Sequence, residues 1–264
     1  MPVNKLIIAN WKMNPPTYKE AEQLAEAVIK SSPKKVDVVL CPPFVWLTDM
    51  SHESTGKVKF GAQDVFWEEA GAFTGEVSAA MLKSSNVEYV IVGHSERRHN
   101  LAETDVMVNK KVLAALKAGL HVILCVGESK EVRRKGIPAA KRFVERQLRE
   151  DLSGIDHLKL EVQGLKLSIT YEPVWAISGG DPTHAADDPK NAVEMIRFIK
   201  SQLLAICYLP LAVLYGGSVN AKNAGSFLRE PEIGGALVGG ASLKPKEFLG
   251  ILKAAEKCGS MRHK

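Results

Sequence analysis

Residues 88–100 read EYVIVGHSERRHN. Tyr89 to Val92 form an unbroken apolar run rich in β-branched residues, the pattern of a parallel strand buried on both faces rather than one with a wet side. Gly93 lets the backbone turn sharply, and SERRHNLAETD then reads as a helical start. A strand that ends on a glycine and passes into a helix is one βα unit. An imidazole, a carboxylate and two guanidiniums crowd into residues 94–98, which neither a buried strand nor an ordinary surface loop requires.

The same grammar repeats along the chain. Strand-like runs occur at KLIIAN (5–10), VDVVLC (36–41), VKFGAQ (58–63), EYVIVG (88–93), LHVILCVG (120–127), LKLSITYE (165–172), LAVLYGG (211–217) and GALVGG (235–240), eight in all. Segments of 3.6-residue periodicity separate them. TYKEAEQLAEAVIKSS opens on Thr17 with Glu20 at capping-box spacing, and DDPKNAVEMIRFIKSQLLAI opens on Asp188, an N-cap residue, followed by Pro189 at the first helical position. Divided eight ways, 264 residues leave 33 per unit, the size of a strand, a helix and two short loops. That count favours a closed (β/α)8 barrel over an open sheet of six or seven strands, and no linker or low-complexity segment divides residues 1–264 into more than one domain.

Composition narrows the function classes. The chain is 45% hydrophobic and 25% charged with a net charge of +5, an ordinary soluble balance whose mild positive excess suits a small anionic substrate. The densest basic region, KEVRRKGIPAAKRFVERQLRED (130–151), interleaves Glu and Asp, which reads as a solvated helix face and not a nucleic-acid patch. Cys41, Cys125, Cys207 and Cys258 are widely spaced, with no CxxC and no nearby His at metal-ligand spacing, so they read as reduced thiols. MPVNKLIIANWK holds an apolar run too short for a signal peptide, and no run reaches the length of a membrane helix. The expectation is a cytoplasmic protein with no nucleic-acid or membrane partner.

In a barrel of this kind chemistry sits on the loops after the strands. Asn10 and Lys12 emerge two apart at the end of the first strand and so share a face if the chain stays extended; a Lys there suits a phosphate or a developing oxyanion. His94 begins a helix, where the positive dipole end disfavours its cation and leaves a neutral hydrogen-bond donor. Glu96 is placed to pair with Lys12 across the mouth, and Arg97 and Arg98 read as structural ion-pair partners. GHSER resembles a serine-hydrolase elbow only in part, because Arg97 stands where the tight turn requires a small residue. Glu172 follows the sixth strand, held out of the helical region by Pro173 and flanked by apolar VWAI, a placement suited to a general base. The glycine pairs of YGGS (215–218) and VGGAS (238–242) expose backbone N–H groups ahead of helix starts, a phosphate cradle without a Walker motif.

Taken together and in order, NWKMN, GAQDV with GAFTGEVS, VGHSERR, YEPVWAI, YGGS and LVGGASL resemble the triosephosphate isomerase family over essentially the whole chain. The resemblance implies a single-domain TIM barrel that interconverts glyceraldehyde 3-phosphate and dihydroxyacetone phosphate without metal or organic cofactor. It implies Glu172 as the base and neutral His94 as the electrophile. Lys12 and Asn10 would stabilise the enediolate, Glu96 would position Lys12, and Ser178, Ser218, Gly239 and Gly240 would hold the phosphate. It further implies a homodimer in which the loop carrying Thr74 enters the partner's mouth. Two departures stand out: Ser178, Gly179, Gly180 and Asp181 replace the family's usual Gly-Thr-Gly-Lys lid, which predicts altered lid opening and weaker phosphate binding, and Asp64 stands where an Asn is common. An aldolase would want a Schiff-base Lys near mid-barrel, where Lys12 is not, and a non-catalytic scaffold would not need Asn10, Lys12, His94 and Glu172 together.

Overall fold

The computed structural model describes residues 4–155, 166–177, 187–207 and 211–260. Among them, strands β1 (Lys5–Asn10), β2 (Val36–Cys41), β3 (Val58–Ala62), β4 (Tyr89–Val92), β5 (His121–Val126), β6 (Leu167–Tyr171), β7 (Ala212–Tyr215) and β8 (Gly235–Val238) pair in sequence order, and β8 returns to β1 to close a barrel. Every pairing is parallel; the closing one sets Leu6 opposite Gly235 and Ala9 opposite Val238. Each apolar run in the sequence falls on one strand, trimmed by at most two residues at either end. Residues 5 to 10 of β1 are buried throughout, as a strand covered on both faces must be.

The helices are α1 (Tyr18–Ser31), α2 (Phe44–Ser51), α3 (Ala79–Ser84), α4 (Ser95–Asn100), α5 (Asp105–Lys117), α6 (Lys130–Arg134), α7 (Ile137–Asp151), α8 (Pro189–Cys207), α9 (Ala224–Leu228) and α10 (Pro245–Ser260). α1 buries Ala21, Ala25 and Val28, one stripe at helical spacing. Its start is half a capping box. The Thr17 hydroxyl accepts from the Glu20 N–H at 3.4 Å, whereas the Glu20 carboxylate takes the Thr17 hydroxyl proton at 2.8 Å and not the Thr17 amide. α8 starts as its sequence indicates, with Asp188 Oδ1 accepting from the Lys190 N–H at 2.8 Å. The basic stretch 130–151 is two helices broken at Gly136, whose φ of +93° only glycine adopts cheaply. Its charges are paired on the surface, Arg149 with Glu145 at 3.0 Å and Lys141 with Glu194 at 2.8 Å.

Alternation along the strands creates two cores. One face points into the barrel, where Leu6, Ile8, Val39, Cys41, Ile91, Ile123, Cys125, Leu214 and Leu237 fill the interior. The other packs beneath the helices as a larger cluster that includes Ile7, Phe60, Val92, Leu124, Tyr171 and Phe248. The barrel is therefore filled with side chains, and ligand chemistry is confined to its mouth. Cys41 and Cys125 are buried free thiols.

A helix follows each glycine pair, but not at once. No helix starts directly after YGGS: Asn220 and Asn223 first exchange amide-to-carboxamide hydrogen bonds, Asn220 N–H to Asn223 Oδ1 at 2.8 Å and Asn223 N–H to Asn220 Oδ1 at 3.1 Å, and α9 begins only at Ala224. Asparagine side chains that satisfy nearby backbone groups offer the chain a turn in place of a helix. After β8 the expectation holds in a modified form, because a 3-10 turn over Gly240–Leu243 follows the glycine pair and α10 comes next.

Candidate active site

Strand β1 delivers Asn10, which is 5% exposed, and two residues later Lys12. Their shared direction has a different cause from strand pleating. Lys12 has a φ of +54°, so the chain leaves the extended region, and the Lys12 N–H folds back onto Asn10 Oδ1 at 3.0 Å. Gln63, just past β3, holds this bend by donating its carboxamide N–H to the Lys12 carbonyl at 2.9 Å and to the Cys41 carbonyl at 2.8 Å. A non-glycine residue in the left-handed region costs on the order of 1 kcal/mol and persists where its surroundings impose it. The strain aims the ammonium across the mouth, where Lys12 Nζ meets Glu96 Oε1 at 2.5 Å. On its other side the Lys12 side chain lies over Gly239, whose Cβ, if it had one, would come within 3.1 Å of Lys12 Cε.

His94 caps α4. Its Nδ1 accepts the Glu96 N–H at 3.2 Å, so that nitrogen carries no proton, and the ring is left as the neutral Nε2–H tautomer. Nε2 faces Glu172 Oε1 at 3.0 Å. Glu172 Oε2 accepts the Ser95 N–H at 2.9 Å, and the residue is 2% exposed. The carboxylate, the imidazole and the first turn of α4 thus form one contiguous unit.

Arg97 and Arg98 are ion-pair partners as expected. Arg97 reaches Asp64 at 2.8 Å and Glu103 at 2.6 Å. Asp64 also accepts from Lys111 Nζ at 2.7 and 2.8 Å, and Lys111 bonds Glu103 as well. Asp64 is therefore one corner of a four-charge network in which Asp64, Glu103 and Lys111 are buried and Arg97 is partly exposed. Burial foremost, with Glu103 nearby, raises the Asp64 carboxyl against the pull of Lys111, while Lys111 and Arg97 outweigh burial and hold Glu103 below its ordinary range.

Four residues shape the surroundings of Glu172, three of them not singled out in the sequence. Gly127 leaves room for the Glu172 backbone: a Cβ there would lie 1.7 Å from the Glu172 carbonyl oxygen. Gly216, read from sequence as part of a phosphate cradle, sits against the side chain instead, since its Cβ would stand 2.9 Å from Glu172 Cγ. Glu128 is fully buried and accepts from Tyr171 Oη at 3.0 Å and from Trp175 Nε1 at 2.8 Å, which fastens the chain on both sides of Glu172. Burial raises the Glu128 carboxyl, and these donors only partly offset it. Arg133 lies 4.9 Å over the Trp175 ring and completes the clamp. The one sequence signal available was the GES that follows strand β5, a carboxylate directly after a strand end.

The phosphate-directed residues divide. Gly239 borders Lys12, and a Cβ at the neighbouring Gly240 would stand in open space. The Ser218 N–H bonds the Ala176 carbonyl at 3.3 Å, and its carbonyl accepts from Asn223 Nδ2 at 3.0 Å. Ser178, Gly179, Gly180 and Asp181 lie outside the described residues. Thr74 is exposed at the tip of a loop that Phe66 closes through Val77 at 2.8 Å, and the Phe66 ring packs at a tilt against Trp67 and Phe73.

A filled eight-stranded barrel with a carboxylate, a neutral imidazole and an ammonium at one mouth, beside a glycine-lined opening, defines an enzyme of proton-transfer chemistry on a small anion. The model of the family described as triosephosphate isomerase matches residues 5–255. Triosephosphate isomerase of Aquifex aeolicus is 43% identical over 257 residues, covering 95% of this chain and 99% of the relative. That of Synechocystis is 44% identical over 257 residues, with 95% and 98% covered. The chain belongs to the triosephosphate isomerase family.

Proposed function

We propose that this enzyme interconverts D-glyceraldehyde 3-phosphate and dihydroxyacetone phosphate through an enediolate, with Glu172 as base. The observation that carries the reading is the direct His94 Nε2 to Glu172 Oε1 contact of 3.0 Å in a mouth that also holds Lys12. Glu172 takes a proton from the carbon beside the carbonyl and returns it to the neighbouring carbon. His94 Nε2–H donates to the carbonyl oxygen as negative charge grows there, and Lys12 and Asn10 face the same charge. Both Glu172 oxygens are engaged in this structure, one by His94 and one by Ser95, so the carboxylate leaves these partners to reach substrate. Glu96 keeps the Lys12 ammonium from folding over the opening. Gly239, Gly240 and Ser218 are assigned to the phosphate, and the place of the reaction is glycolysis and gluconeogenesis.

The reading extends to a single barrel domain over residues 1–264 and to a homodimer formed through the loop around Thr74. Phe73 is 45% exposed and Met13 is 93% exposed, apolar area that association would remove from water. A cytoplasmic location belongs to the same proposal; among the described residues no helix is long and apolar enough to cross a membrane. The test is a coupled assay of glyceraldehyde 3-phosphate isomerisation with Lys12→Ala and His94→Gln alongside, and sedimentation for the dimer. Lys12→Ala is expected to raise KM and lower kcat together, and His94→Gln to lower kcat. Wild-type protein without turnover would refute the function, and a sedimenting monomer would refute the assembly.

A further inference from the structure

Beside His94, Arg98 gathers four acceptors. Its Nε donates to the Gly93 carbonyl at 2.7 Å, Nη2 donates to Asp151 Oδ2 at 2.6 Å and to the Cys125 carbonyl at 3.3 Å, and Nη1 bonds Asp105. The Gly93 carbonyl belongs to the peptide that carries His94, so this guanidinium fixes the plane from which the imidazole projects. Gly93 has a φ of +72°, and a Cβ there would lie 2.8 Å from Arg98 Nη2; glycine is what lets the guanidinium lie against that peptide. Only a planar fork of five N–H donors serves two strand ends and two helix ends at once.

The clamp carries one charge too many. Arg98 faces both Asp105, at the start of α5, and Asp151, at the end of α7, while Glu150 shares a hydrogen bond with Asp105. Asp151 is fully buried, and its Oδ1 has no hydrogen-bond partner among the described residues. With no donor on that oxygen, burial disfavours the ionised carboxylate, and protonation removes the buried charge. We propose that Asp151 is a positioning residue for His94: ionised, it locks Arg98 onto the Gly93 carbonyl, and protonated, it slackens that grip and the imidazole with it. The neutral acid is the weaker acceptor, so Arg98 then rests mainly on Asp105. The groups facing Asp151 are Arg98 from α4, Asp105 from α5, Glu150 from α7 and the Cys125 thiol from β5. Burial, with Asp105 and Glu150 adding, carries the Asp151 carboxyl up to about 7 against the pull of Arg98, which places the switch in the working range. The inference rests on the assignment of His94 as the group that faces the substrate carbonyl.

The test is the ratio of wild-type to Asp151→Asn kcat at saturating substrate from pH 5.5 to 9. Ionisation of the substrate phosphate is common to both proteins and cancels. The ratio is expected to rise from near one at low pH to about tenfold at high pH with a midpoint near 7, the scale that a sub-ångström misplacement of a catalytic group commands, while the KM ratio stays flat. In wild-type protein alone, the His94 imidazole proton resonances should shift with the same midpoint, a readout that holds even if the variant folds poorly. A pH-independent kcat ratio, an effect confined to KM, or imidazole resonances without that inflection would each overturn the proposal. If His94→Gln keeps full kcat, the site assignment fails; if that variant is inactive and the Asp151→Asn ratio is flat, only this inference falls.

Discussion

Gly216→Ala is the perturbation whose effect the geometry fixes most closely. The added methyl would arrive 2.6 Å from Thr170 Cγ2, 2.9 Å from Glu172 Cγ and 3.2 Å from the Tyr171 carbonyl oxygen. Carbon atoms rest comfortably about 3.5–4.0 Å apart, so Glu172 Cγ has to retreat by roughly 0.6 Å or more. It cannot move freely, because the residue is buried and both carboxylate oxygens are held, by His94 and by the Ser95 N–H. The Gly216 N–H is itself tied to the Tyr171 carbonyl at 2.8 Å, which keeps the new methyl from backing away. A displacement of a base on this scale is expected to lower kcat by about 10- to 100-fold. Overpacking adds a stability loss of about 1–3 kcal/mol, read as a Tm lower by several degrees. Coupled-assay kcat and KM with a thermal melt measure both effects. An alanine variant with wild-type kcat and Tm would refute the claim that Gly216 seats the base.

Three further outcomes follow from buried charge. The His121 imidazole, hydrogen-bonded to Ser168 at 2.8 Å and stacked on Tyr89, is pushed down to about 4 by burial first and then by Lys166 and Lys59. Its stability contribution is therefore complete above its ordinary value of 6.5 and is lost as pH falls from there toward 4, a gap of about 2.5 pH units at about 1.4 kcal/mol each, or roughly 3.5 kcal/mol. Urea unfolding between pH 4 and 7 should show this slope in wild type and a flatter one in His121→Gln; equal slopes would contradict it. Lys111→Met leaves Asp64 and Glu103 buried with Arg97 alone and is expected to cost about 3–5 kcal/mol near neutrality. Asp64→Asn keeps an acceptor for Lys111 and should cost less, about 1–2 kcal/mol, so a reversed order in urea midpoints would count against the network.

The strands were legible because both of their faces are buried, which removes polar alternation and leaves continuous apolar runs. Lys12, His94 and Glu172 were legible because each directly follows such a run. What escaped was whatever depends on which strands become neighbours. Gly127 and Gly216 matter because β5 and β7 flank β6, and nothing local to either glycine announces the carboxylate beside it. Asp151 reads from sequence as the last charge of a basic helix, yet its carboxylate is buried on Arg98, 53 residues away. The bend at Lys12 escaped for another reason. A left-handed lysine contradicts its own local preference and is imposed by Asn10 and by Gln63, which comes from another strand's end.

The central claim is that the buried Glu172 carboxylate is the base. Glu172→Gln preserves size and, with a single acceptor oxygen, keeps one of the two hydrogen bonds to His94 and Ser95, but it cannot take up a proton. Its kcat for glyceraldehyde 3-phosphate, measured beside the wild type, is expected to fall by several orders of magnitude with KM little changed, the mark of a loss confined to the transition state. A glutamine variant that turns over at near the wild-type rate would contradict the account.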